Sequence, residues 1–93
     1  MEKSLLERLE YKINWTYDEM LEVLEEEGLE DAIEYVEESK ELFKHYRFIQ
    51  NMLISDGGKE SELYNKIMKI LIAKERLLKD KDASGALYSL KRQ

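Results

Sequence analysis

The residues that could carry chemistry here are few, and they exclude more than they assign. There is one histidine, His45, with Glu41 four residues before it, and there is no cysteine. Carboxylate metal sites in helical bundles use Glu-x-x-His pairs projected from facing helices. A single His with Glu at i−4 is instead the spacing of an exposed helical ion pair, so no metal ligand set and no cofactor are expected. Nucleophilic catalysis needs a base beside the nucleophile and a third group to orient it. With one histidine and serines only at 4, 39, 55, 61, 84 and 89, no such set assembles. The expectation is a protein that is not an enzyme.

Two strings look like known sites until their surroundings are read. Glu26-Glu27-Gly28-Leu29-Glu30 resembles the first magnesium-binding string of the all-helical nucleotide pyrophosphohydrolases, but no Glu-x-x-Asp follows it anywhere downstream. Gly28 also stands inside the string, where a helix is expected to end. Asp56-Gly57-Gly58-Lys59 is a helix-helix turn, and it lacks the long glycine-rich loop that cradles phosphates.

Charge is the most informative feature. The net charge is −6, but residues 1–42 hold fifteen acidic and four basic side chains, whereas residues 43–93 hold six acidic and eleven basic. Part of this asymmetry suits a hairpin folded about Gly57-Gly58, which brings together residues whose numbers sum to about 115. Lys81 then falls near Glu34 and Lys74 near Glu41. The acidic excess within residues 7–31 is not matched in that way and is free to meet a partner. Glu19, Glu22, Glu26, Glu30, Glu34, Tyr35 and Glu38 are therefore the candidate partner-binding residues. They suit another protein, in particular a basic, nucleic-acid-binding one.

The alternative is a nucleic-acid contact through Lys66, Lys69, Arg76, Lys79, Lys81, Lys91 and Arg92, interrupted by Asp80 and Asp82. A helix-turn-helix over residues 16–39 is excluded on charge. Its second helix would present Glu30, Asp31, Glu34, Glu37 and Glu38 to phosphates.

The elements that must position these residues are helical. Proline is absent, charged residues make up 39% of the chain and apolar ones 43%, close to the signature of amphipathic helices and too apolar for disorder. Ser4 with Glu7 is a capping-box pattern ahead of a first helix at about 4–13. Thr16 with Glu19 is a second one, flanked by Trp15 and Met20 at the positions of a hydrophobic staple, and it predicts a second helix that stops at Gly28. From Leu29 to Ser55 an imperfect heptad runs unbroken through Val36, Phe43 and Gln50, and through Ala32, Ser39, Tyr46 and Leu53. A fourth helix from about 60 to 81 carries Leu63, Ile67, Ile70, Leu71 and Leu78. Asp82-Ala83-Ser84-Gly85 then links to a last short turn around Ala86, Leu87, Tyr88 and Leu90.

The expected fold is a single all-α domain. It is a small helical bundle built on a long antiparallel hairpin, about 29–55 and 60–81, with two short N-terminal helices and a short C-terminal one. A chain this short buries only about 60% of its unfolded surface, and its broad apolar faces favour a homodimer. Trp15, Tyr17, Tyr35, Phe43, Tyr46, Phe48 and Tyr64 cannot all face one seam, so some are expected in an interface. There is neither a signal-peptide pattern at the N-terminus nor an apolar run of membrane-spanning length, so the expectation is a cytoplasmic protein that does not enter a membrane.

One resemblance bears on the alternative. The segment Asp82-Ala83-Ser84-Gly85-Ala86-Leu87-Tyr88-Ser89-Leu90-Lys91-Arg92 resembles a stretch of some phage terminase small subunits, where a small-residue turn precedes an aromatic and Leu-Lys. The resemblance covers about a tenth of the chain, and this sequence lacks the basic N-terminal unit of those proteins. It implies a DNA-packaging assembly factor. At the level of architecture alone, the bundle resembles the small helical-hairpin adaptors of plasmids and viruses, and the small size and the tail segment point the same way, to a phage, viral or plasmid protein.

Overall fold

The computed structural model describes residues 5–55 and 62–91, all of them in helices or the short links between them. The helices are α1 (Leu5–Glu22), α2 (Leu29–Glu38), α3 (Lys40–Ser55), α4 (Glu62–Leu78) and α5 (Ala83–Lys91), with a π-helical turn at Val23–Glu27 that continues α1. The expected all-α bundle is what forms. The proposed cap at Ser4, the turn at 56–59 and Arg92 lie outside the described residues.

The two N-terminal helices are in fact one. Nothing between Ile13 and Thr16 breaks a helix, and Ile13, Thr16, Met20, Val23 and Leu24 make a continuous buried stripe at three- and four-residue spacing. Thr16 is no cap: it is fully buried, and its hydroxyl donates back to the Lys12 carbonyl at 2.9 Å. Threonine makes this i−4 bond when it sits inside a helix. The staple is absent for the same reason. Trp15 points to the opposite side from buried Met20 and is 51% exposed.

After α1 the backbone widens into the π turn, and the Gly28 N–H reaches the Val23 carbonyl at 3.0 Å. Gly28 takes φ 100° and ψ −174°, a region that essentially only glycine occupies. Its carbonyl then accepts the first bond of α2 from Ala32 at 3.1 Å.

The expected long arm, 29–55, is broken at Ser39. That residue has φ −107° and ψ 23°, and its N–H is shared between the carbonyls of Tyr35 and Val36. Left straight, such a helix would be about 39 Å long, whereas the molecule measures 37 Å along its longest axis. Breaking it lets Ala32 and Val36 on α2, and Phe43, Tyr46 and Ile49 on α3, reach one common core.

The centre of that core is α4. Ile67, Ile70 and Ala73 are fully buried, Leu77 nearly so, and the helix is packed by α1, α2, α3 and α5. It ends earlier than expected, because Lys81 takes a left-handed φ of 51° and reverses the chain. Asp82 then accepts the Gly85 N–H on its side chain at 2.8 Å, which caps α5 three residues before the expected start. A side chain on Gly85 would collide with that carboxylate, and Arg76 lies beyond it at 3.2 Å. Tyr17 ties α1 to α5 by donating to the Leu90 carbonyl.

Candidate acidic partner-binding groove

Along α1 and the π turn, Glu19, Val23 and Glu27 follow one another at four-residue intervals. Along α2, Asp31, Glu34, Tyr35 and Glu38 share a face at three- and four-residue spacing. The two lines border a single open groove of about 320 Å³. Among the described residues five carboxylates line it, and no lysine or arginine does.

The groove has a defined centre. Glu19 is half-buried, and its Oε2 is enclosed without a hydrogen-bond partner. Burial pushes the neighbouring Tyr35 phenol well above its ordinary range, and the adjacent Glu19 carboxylate raises it further. The phenol is therefore neutral at every physiological pH, an aromatic surface among carboxylates. Glu27, Asp31, Glu34 and Glu38 stand exposed around it.

Of the seven residues selected from the sequence, Glu19, Glu34, Tyr35 and Glu38 are brought together in this groove. Glu22, Glu26 and Glu30 are exposed but outside it. Glu27, Asp31 and Val23 were missed. Asp31 was legible, since it lies three and four residues from Glu34 and Tyr35. Glu27 was not: on a regular helix Glu26, seven residues from Glu19, would share its face. The wider π turn carries Glu27 into that position instead.

The basic candidates do not converge on one stripe. Lys66 donates to the Asn14 side chain and lies 5.2 Å from the centre of the Tyr17 ring. Lys91 pairs with Glu25 of the π turn at 3.5 Å. Lys79 pairs with Glu75 on its own helix at 3.6 Å. Lys69 and Arg76 share a groove with Tyr88 between α4 and α5.

The ion pairs expected from hairpin matching do not form either. Glu41 pairs with Lys44, at 3.8 Å, and no ion pair joins Lys74 to Glu41 or Lys81 to Glu34. The break at Ser39 and the reversal at Lys81 take Glu34 and Lys81 out of the hairpin register, whereas Glu41 and Lys74 lie within α3 and α4 and do not meet. The pairs Lys44–Glu41, Lys79–Glu75 and Lys91–Glu25 are exposed, and such pairs contribute about 0–1 kcal/mol each.

His45 is exposed and borders an open groove of about 590 Å³ between α1 and α3, with Arg8, Lys12, Leu42 and Tyr46. Among the described residues no three His, Cys, Asp or Glu side chains are grouped so as to hold a metal ion. Among the same residues no helix is long and apolar enough to cross a membrane. Compared with family models, with curated proteins and with solved structures, the chain finds no match.

Proposed function

We propose that this chain is a non-enzymatic interaction protein, an adaptor or inhibitor that binds a basic segment of another protein in the groove between α1 and α2. The observation that carries the proposal is the lining itself: among the described residues, five carboxylates around Tyr35 and no lysine or arginine. Such a groove attracts cations over a distance and lowers the cost of bringing them in. Tyr35 adds a face on which a guanidinium or ammonium group can rest. The apolar wall at Val23 gives the stem of a lysine or arginine side chain a surface to lie against. Homodimerisation belongs to the same proposal, with Trp15 on α1 and Phe48 and Met52 on α3 as the exposed apolar surface that supports it.

The test compares groove with surroundings. A lysine- and arginine-rich peptide is titrated into the protein and into two charge-reversed variants, followed by calorimetry. Glu34→Lys with Glu38→Lys should weaken binding about tenfold or more, which is about 1.4 kcal/mol. Glu26→Lys with Glu30→Lys, the same charge change outside the groove, should weaken it much less. Equal losses would show that overall charge attracts the peptide, and the groove would lose its role.

A further inference from the structure

One stripe of α4 remains uncovered by its neighbours. Met68, Ile72 and Arg76, four residues apart, form a ridge with a groove on each side. The groove toward α3 is about 450 Å³ and bordered by Arg47 and Lys79. The groove toward α5 is about 300 Å³ and bordered by Lys69 and Tyr88. Ile72 is 41% exposed and Tyr88 65%, so the ridge presents apolar and aromatic surface to solvent. None of these residues lines the acidic groove.

A four-residue ridge between two grooves is the surface that one helix offers another in packing. The charges specify the visitor. Arg47, Lys69 and Arg76 stand around the apolar ridge; in the α3-side groove Lys79 and Glu75 offset each other as an ion pair, which leaves Asp80 as the other carboxylate. This is a cationic frame on a protein of net charge −6.

We infer that the α3–α4–α5 face docks an acidic amphipathic helix of a partner protein. Its apolar stripe rests on Ile72 and Tyr88, and its flanking carboxylates meet Arg47 on one side and Lys69 and Arg76 on the other. A nucleic-acid strand fits this face less well. The cations are divided by an apolar ridge and so do not follow one line, and Glu75 and Asp80 border one of the two grooves.

The test uses a pair of cross-linked helical peptides of about fifteen residues, long enough to hold a helix. One carries a leucine stripe flanked by glutamates, and its twin has lysines in place of the glutamates. Each is titrated into isotope-labelled protein and followed by amide chemical shifts. The glutamate peptide should move the Met68, Ile72, Arg76 and Tyr88 signals saturably, and Lys69→Glu with Arg76→Glu should weaken it about tenfold while the circular dichroism spectrum stays unchanged. Ile72→Glu should abolish it.

Four results would overturn the inference: no saturable shifts on this face, equal shifts from both peptides, displacement by a single-stranded oligonucleotide, or self-association of the protein that the same substitutions abolish. The lysine twin reports on the acidic groove, through Glu34 and Tyr35, so failure of one surface is read separately from failure of the other.

Discussion

The hydroxyls of Thr16 on α1 and Tyr46 on α3 lie 2.6 Å apart, and both also reach the carbonyl oxygen of Lys12, at 2.9 and 3.2 Å. Three oxygens share two hydrogens there, and both side chains are buried. Each hydroxyl can donate to the Lys12 carbonyl, and either can donate to the other. The only side-chain hydroxyl buried within α1 is thus used to fix α3 against it.

Removing either hydroxyl should cost about 1 kcal/mol, the net worth of a buried hydrogen bond. Tyr46→Phe leaves Thr16 its helical bond, and Thr16→Val leaves Tyr46 only the Lys12 carbonyl. The double variant should cost less than the sum of the two, because the pair has one interaction in common. Urea unfolding of the four proteins measures this. Strict additivity would mean that the two hydroxyls do not cooperate.

Gly28→Ala should destabilise the protein by about 1–3 kcal/mol. Nothing lies within 4 Å of the position a Cβ would take, so the cost is wholly one of backbone conformation at φ 100°. D-alanine at the same position, introduced by chemical synthesis, prefers positive φ and should be tolerated. Thermal unfolding distinguishes the two, and equal losses would point to a steric cause instead.

Gly85→Ala places a methyl group against the Asp82 carboxylate that caps α5. The cap must move, at a cost of about 0.5–2 kcal/mol. Asp82→Ala should lose a similar amount. On that background Gly85→Ala should add little, because there is no longer a carboxylate to displace. Faster exchange of the amide at position 85 in each single variant is the local sign.

Stability should fall at high pH through the tyrosines. Burial raises the phenols of Tyr17, Tyr35 and Tyr46 above the ordinary 10.0, Tyr35 most of all. A raised pKa means that the folded state holds its proton longer than the unfolded chain does. The contribution is therefore complete below pH 10 and is lost as pH rises above it. Melting temperatures taken from neutral pH upward should be level below about pH 9 and decline beyond about pH 10. Tyr35→Phe should make the decline shallower. An unchanged slope in that variant would assign the loss to other groups.

Much of the local organisation could be read directly. The absence of proline and the spacing of apolar residues required helices throughout. Gly28 marked a boundary because few other residues serve where a helix must turn so sharply. Glu34, Tyr35 and Glu38 belonged together because residues three and four apart share a helix face whatever the tertiary fold.

Other features depended on parts of the chain far away in sequence. Thr16 with Glu19 has the spacing of a capping box, yet the same hydroxyl can bond back into a helix, and Tyr46, thirty residues on, selected the second use. No residue near Ser39 announces a break. It falls where α2 and α3 each turn a buried face toward α4.

The groove shows the same division. That residues 19–38 are acidic is a property of the sequence alone. That Glu27 rather than Glu26 joins Glu19 across from Glu34 follows from one widened turn, and Lys91 is taken up by Glu25 only because α5 folds back beside that turn. Spacing along the chain determines which residues share a turn. Which turns face one another is decided by the packing of helices distant in sequence, and that is where the candidate surfaces of this protein arise.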